Sequence, residues 1–226
     1  MISDSLDIVI PVFNAVEDTI ECVESILQSD AADCSILLLN DASYSGTEER
    51  LKERFAPHVN VVVVSHCRNR GYTKNISYGI KKSKKEYVCI LNSDTLVPGL
   101  WARKLLAHLQ DMPVFAAVGP LSNAASFQSI PQVYAPNKEF SVNDQLGGFL
   151  GELNFVNSVL DFFGPGKIAD VPILNGFCTV FRRSALEEIG GFDDVNFKTG
   201  YGEENDLCIR LKQHSYRLGV ALDCFV

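Results

Sequence analysis

No apolar run in this 226-residue chain approaches the roughly 20 residues needed to span a bilayer. The N-terminus, "MISDSLDIVIPV", has no basic start before its apolar run, so it does not read as a signal peptide. The seven cysteines are odd in number and form no C-x-x-C pair. Several, Cys89, Cys178 and Cys208 among them, sit inside apolar runs and read as reduced, mostly buried thiols of a cytosolic protein. There is no basic surplus: the net charge of −8 argues against a nucleic-acid surface, which needs a basic stripe. The first apolar run is followed by "PVFNAVED" rather than G-x-G-x-x-G, and no Walker A motif occurs, which sets aside nicotinamide and P-loop enzymes. The four histidines lack metal-ligand spacing and read as surface or core residues. There is no internal repeat and no linker.

What is present is an apolar fraction of 46%, enough for a sizeable core in one α/β domain or two small ones. Residues 6–13, "LDIVIPVF", form a nearly continuous apolar run, the mark of a strand buried on both faces. Asn14 follows, with Glu17 three residues on, a capping-box spacing. Val16, Ile20, Val23 and Leu27 then recur at helical spacing. Strand and helix patterns continue to alternate: strands at 34–40, 59–65 and 86–92, and helical spacing around 47–55 and on one face through Tyr72, Ile76 and Ile80. This βαβαβαβ order predicts a mainly parallel sheet with right-handed crossovers. A helix is expected over 100–109 and a short strand over 115–118. The segment 121–170 is poorly patterned, rich in Asn, Ser, Gln and Pro, with one helix expected near 143–162; it reads as a long functional loop. A strand, a short helix and a glycine stop are expected over 176–192, a last helix from Glu203 to His214, and a final strand in "RLGVALDCFV".

Ligands of parallel sheets sit beyond the carboxyl ends of the strands. The residues just after each strand therefore matter most: Asn14, Asp41, the segment 66–71 and Asp94. Asp41 reads equally as a helix cap and as a carboxylate accepting hydrogen bonds from a nucleobase or ribose. Asp94 reads as a ligand for Mg²⁺ or Mn²⁺, because hard oxygen donors suit those ions and diphosphate oxygens can complete the shell; its bland alternative is a turn residue before Pro98 and Gly99. A metal of this kind would let an acidic chain hold an anionic nucleotide. Glu203, Glu204 and Asp206 place three carboxylates within four residues. Acids at a helix N-terminus are ordinary, but three together repel unless a partner, a metal or a base function shares them. Arg68 and Arg70 are candidates for phosphate contact, whereas Lys81, Lys82, Lys84 and Lys85 read as a solvated helix end.

Taken in order, "IVIPVFN" (8–14), "LLNDAS" (38–43), "NRGYTKNISYGI" (69–80), "ILNSDTLVPG" (90–99), "GFCTVFRRSALEEIGGFDD" (176–194) and "GYGEENDLCIRL" (201–212) resemble the motifs of the family 2 inverting glycosyltransferases. The ordered set spans nearly the whole chain. The resemblance implies the GT-A fold, an α/β architecture with a Rossmann-like, mainly parallel central sheet flanked by helices. It implies one domain over 1–226, with a nucleotide-binding half (1–98) and an acceptor and catalytic half (99–226). Pro11, Val12, Phe13 and Asn14 would then line the nucleotide site with Arg70, Gly71, Asn92 and Ser93, and Asp41 would contact the base. Asp94 would be the last Asp of the D-x-D motif and bind the metal. Glu204 would be the catalytic base, with Glu203 and Asp206 bracing the loop or meeting the acceptor.

The sequence departs from the family pattern in three places. Asn92 stands where the D-x-D motif begins with Asp. Glu204 stands where the family usually has an Asp. The chain stops at Val226, just before the family usually supplies a His that helps bind the metal, so it reads as a catalytic domain truncated at its C-terminus.

The expected activity is transfer of a sugar from a UDP- or dTDP-sugar to a hydroxyl of a glycan or other acceptor, with inversion and a Mg²⁺ or Mn²⁺ ion, in polysaccharide or glycoconjugate synthesis. Two rivals stand beside it: a nucleotidyltransferase, and a nucleotide-binding module of the same fold without activity. No nucleic-acid partner and no transmembrane segment are expected. The expected location is cytoplasmic, any membrane association being left to parts outside this chain.

Overall fold

The computed structural model describes residues 1–132, 143, 146, 149–198 and 201–226. A single turn of helix, α1 (Ile2–Ser5), leads into β1 (Leu6–Val12). There follow α2 (Val16–Leu27), β2 (Ser35–Asn40), α3 (Thr47–Phe55), β3 (Val61–Ser65), α4 (Tyr72–Lys82) and β4 (Tyr87–Leu91). The second half contributes α5 (Trp101–Asp111), β5 (Phe115–Leu121), α6 (Leu150–Phe163), β6 (Ile168–Val171), β7 (Cys178–Arg182), α7 (Arg183–Glu188), α8 (Glu203–Gln213) and β8 (Arg217–Phe225). The expected alternation is present, and its strands pair in one sheet of order β3-β2-β1-β4-β7-β5-β8-β6.

β1 pairs in parallel with β2 and β4, and β2 with β3. β7 inserts antiparallel between β4 and β5, β5 and β8 are parallel, and β6 closes the far edge antiparallel to β8. The sheet is thus mainly parallel, as predicted, with β6 and β7 reversed. Its strands read as unbroken apolar runs because both faces are covered. Along β1, Leu6, Ile8, Ile10 and Val12 enter the layer beneath α2, α3 and α5, while Val9 enters the layer beneath α4, α7 and α8. Gly79 lets α4 lie close on the second face: a Cβ there would fall 2.4 Å from Cγ1 of Val9 and 2.8 Å from Cδ1 of Leu39.

Three local expectations are corrected. The capping box after β1 does not form. Ala15 is the N-cap of α2 with no side-chain hydrogen bond, and Asn14, at φ 59°, accepts from the Tyr44 N–H at 2.9 Å instead. The left-handed backbone turns its amide away from α2 and toward the β2–α3 loop. The helix expected near 143–162 runs Leu150–Phe163; Asn143 and Leu146 precede it, and the other residues of 143–148 lie outside the described set. The segment 121–170 also holds part of a strand that pattern reading missed: β6 pairs with β8, and three of its four residues (Ile168, Ala169, Val171) are apolar, but the run is short and its residues are only exposed or half-buried.

All seven cysteines are free, and six are buried; Cys67 is exposed. Of the histidines, His108 is buried against Asp223 at 3.3 Å. Among the described residues, no helix is long and apolar enough to cross a membrane.

Candidate active site

The carboxyl ends of β1, β2 and β4 open into a cleft of about 380 Å³. Pro11, Val12 and Phe13 form one wall, Asp41 and Gly71 another, and Asn92, Ser93 and Asp94 a third. Eight of the predicted nucleotide and metal residues therefore meet in one place, as the strand-end rule requires. Asn14 and Arg70 do not line it. Asn14 ties the cleft's rim, its N–H donating to the Ser43 hydroxyl at 3.0 Å. The Arg70 guanidinium is exposed and lies 5.5 Å from the centre of the Tyr78 ring.

Asp41 is buried, and its carboxylate organises the loop that enters α4. Oδ1 accepts from the Arg70 N–H at 2.8 Å and Oδ2 from the Gly71 N–H at 2.9 Å. Each oxygen retains acceptor capacity, since a carboxylate has about four lone-pair sites. Gly71 is required on two counts. Its φ is +83°, and a Cβ would lie 2.3 Å from the Lys198 carbonyl, so the loop before α8 lies directly over it.

A second cavity, of about 360 Å³, shares Asp18, Asn92 and Asp94 with the first. It continues past Glu21, Ser122 and Asn123 to Phe225 and Val226. Asp94 is exposed where the two meet. Asp18, on the first turn of α2, places a second carboxylate on the same walls, and sequence reading missed it: an acid in a first turn reads as a dipole partner. The donor set is all oxygen, which suits a hard dication. Mg²⁺ is commonly held by one or two carboxylates with substrate phosphates and water completing the shell. Among the described residues, no group of three or more His, Cys, Asp or Glu forms a closed metal cage. Asp94 with Asp18 fits the open kind of site.

The three crowded carboxylates of α8 are separated by the fold. Asp206 accepts from Arg210 Nε at 2.8 Å, and Arg210 in turn donates to the carbonyls of Ile189 and Gly191, which ties α8 to the turn after α7. Glu203 is 4% exposed, and its Oε2 has no hydrogen-bond partner. Glu204 enters a small cavity with Leu174, Gly176, Leu207 and Cys208. Burial there, with the Glu203 carboxylate adding to it, pushes the Glu204 carboxyl up to about 7 against the opposing hydrogen bond from the Gly176 N–H.

Tyr72, at the start of α4, is on the wall of both the strand-end cleft and the Glu204 cavity. Burial, then the nearby charges of Glu204, Glu203 and Asp94, drive its phenol well above its ordinary value. Tyr72 carries the link between Asp94 and Glu204, and sequence reading had assigned it only to a helical face.

This sheet order, the cleft at the strand ends and the buried carboxylate at the start of α8 define a glycosyltransferase fold of the GT-A class. The crystal structure of GalNAc-T7 with UDP, GalNAc and Mn²⁺ superposes with a TM-score of 0.74 at 17% identity, covering 98% of this chain and 42% of that one. The model of "Glycosyl transferase family 2" matches residues 7–190, and the chain belongs to that family. Glycosyltransferase GlyG of Streptococcus pneumoniae is 28% identical over 145 residues, which are 63% of this chain and 47% of that protein. Chondroitin synthase of Escherichia coli is 25% identical over 241 residues, 93% of this chain and 32% of that protein. The chain thus spans less than half the length of these curated relatives.

Proposed function

We propose that the chain transfers a sugar from a UDP- or dTDP-sugar to a hydroxyl of a glycan or related acceptor, with inversion, in polysaccharide or glycoconjugate synthesis. The observation that carries this reading is the placement of Tyr72 between two functions: Asp41 and Asp94 in an open cleft on one side, and a carboxylate with a raised pKa on the other. The names of the relatives support it, as does the UDP and Mn²⁺ complex of the GalNAc-T7 neighbour.

In this reading the cleft holds the nucleotide. Asp41, already rigid on two backbone N–H groups, takes the base or ribose with its remaining lone pairs. Pro11 to Phe13 and Gly71 shape the walls, Asn92 and Ser93 offer polar groups to the phosphates, and Asn14 and Arg70 act from the rim. Asp94, assisted by Asp18, would hold a Mg²⁺ or Mn²⁺ ion, which when bound offsets charge on a diphosphate leaving group. Glu204, ionised, takes the proton of the acceptor hydroxyl as that oxygen attacks. A base with a pKa near the working pH is well matched to this transfer. Close packing on Gly176 orients the carboxylate, Glu203 raises its basicity by charge, and Asp206 braces α8 through Arg210.

A panel of nucleotide-sugars, scored for transfer and for slow hydrolysis, tests the proposal. Release of UDP or dTDP from one donor, lost in Glu204→Gln, is expected. Nucleotide binding without turnover of any donor would point to a binding module instead.

A further inference from the structure

A separate cavity, of about 420 Å³, lies at the other end of α4. The helix starts at the cleft and is 11 residues long, which at 1.5 Å per residue separates its ends by on the order of 16 Å. The wall holds Ser77, Lys81 and Lys84 from α4 and the turn after it, and Arg183 and Leu186 from α7. Phe192 packs beside the Gly190–Gly191 turn.

A lysine at a helix C-terminus is explained by the dipole alone, and that reason covers Lys81. It does not cover Lys84, which lies beyond the helix and joins Lys81 on one cavity of a chain with net charge −8. The one carboxylate on the wall, Glu187, is already paired with Arg183. The lysine ion pairs among the described residues are those of Lys52 and Lys104, so Lys81 and Lys84 stand unpaired. The turn carrying Lys84 is fixed. Asp7 Oδ2 accepts from the Ser83 hydroxyl at 2.7 Å, from the Lys84 N–H at 2.7 Å and from the Lys85 N–H at 3.1 Å.

Ser77 adds an independent sign. The residue is 6% exposed, lines the cavity, and its hydroxyl has no hydrogen-bond partner. A helical serine commonly returns its hydroxyl to the carbonyl four residues earlier, and Ser77 does not. The hydroxyl oxygen is itself buried, so meeting an occupant of the cavity requires rotation to another staggered position.

We propose that this cavity binds a phosphorylated molecule with an apolar body. Lys81 and Lys84 hold the phosphate, Ser77 donates to it, and Ile80, Leu186 and Phe192 cover the apolar part. The volume falls in the range of small-molecule sites and exceeds the need of a bare phosphate. A soluble aryl or nucleoside phosphate and a lipid phosphate headgroup share this chemistry.

The test is direct binding by the whole chain in EDTA, which suppresses metal-dependent phosphate binding in the cleft. The soluble probe is 1-naphthyl phosphate, with inorganic phosphate for comparison. The lipid probe is co-sedimentation with phosphatidylcholine vesicles with and without phosphatidic acid. The expected result is saturable binding of 1-naphthyl phosphate, at least tenfold tighter than phosphate. Lys81→Glu/Lys84→Glu should weaken it at least tenfold, and Asp94→Ala should leave it unchanged. Sedimentation only with phosphatidic acid, lost in the same double variant, also supports the site and names a lipid as its source. No binding of either probe overturns the proposal, as does binding indifferent to the double variant. Both lysines are exposed, so the variant should keep its melting temperature; Lys81→Ala/Lys84→Ala must show the same order of effects if charge reversal disturbs the fold.

Discussion

Glu204 packs directly on Gly176, and the place where a side chain on residue 176 would begin is already taken. A Cβ there would lie 1.7 Å from Oε1 of Glu204. The glycine that starts the β7 segment thus aims the carboxylate of α8. Gly176→Ala must displace Glu204 or the backbone, at roughly 1–3 kcal/mol of stability, the usual cost of overpacking. Turnover should fall while nucleotide affinity, set in the other cavity, stays near wild type. Titration calorimetry with UDP beside a turnover assay checks this; parallel loss of both would remove the orienting role.

The raised pKa of Glu204 gives two pH signatures. As a base it works ionised, so turnover should rise with pH through about 7. Stability should move the other way. Between its ordinary value of 4.5 and about 7 the folded state holds a proton that the unfolded state has released, so stability falls as pH rises through that window, by at most roughly 3 kcal/mol. Glu204→Gln should erase this slope, melt higher than wild type at pH 8, and cut turnover by about 10²–10⁴-fold with donor binding intact. Melting curves of both proteins from pH 4 to 8 decide it, and identical pH dependence sinks the assignment.

Asp41 combines a structural with a binding role. Asp41→Ala strands the Arg70 N–H, while the Gly71 N–H keeps Asn69 Oδ1 at 3.0 Å, and should cost about 1–3 kcal/mol of stability. The loss of a nucleotide partner should weaken UDP binding by a similar amount. Chemical denaturation and calorimetry on the one variant separate the two. Lost stability with unchanged affinity would leave Asp41 a loop anchor only.

Asp94 should behave in the opposite way, since it is exposed and its removal strands nothing buried. Asp94→Ala should melt like wild type. UDP affinity of the wild type should drop with EDTA and return with Mn²⁺ or Mg²⁺, while the variant should bind weakly throughout. Asp18→Ala should give a smaller loss of the same kind. Equal UDP affinity with and without chelator would rule out a metal at this position.

The sequence by itself determined the βα alternation, the both-sides burial of β1, β2 and β4, and the convergence of Asp41 and Asp94. Those follow from local rules. Unbroken apolar runs require cover on both faces, and a parallel sheet puts every strand's carboxyl end on one edge. Only the tertiary structure decided what the local rules leave open. Asn14 looked like a cap from its spacing but is claimed by Tyr44, 30 residues away. β6 is a short run, Ile168–Val171, whose apolar residues do not stand out from the polar segment before it; at the sheet edge they are only half-buried, and the strand exists through its ladder to β8. Three neighbouring carboxylates of α8 had the same local description, yet one meets Arg210, one is buried without a partner on Oε2, and one packs on Gly176 ahead of β7. Hydrophobic period is set by neighbours in the chain, whereas the partner and solvation of a polar side chain are set by groups distant in sequence; that is why the elements were legible and the division of labour among the acids was not.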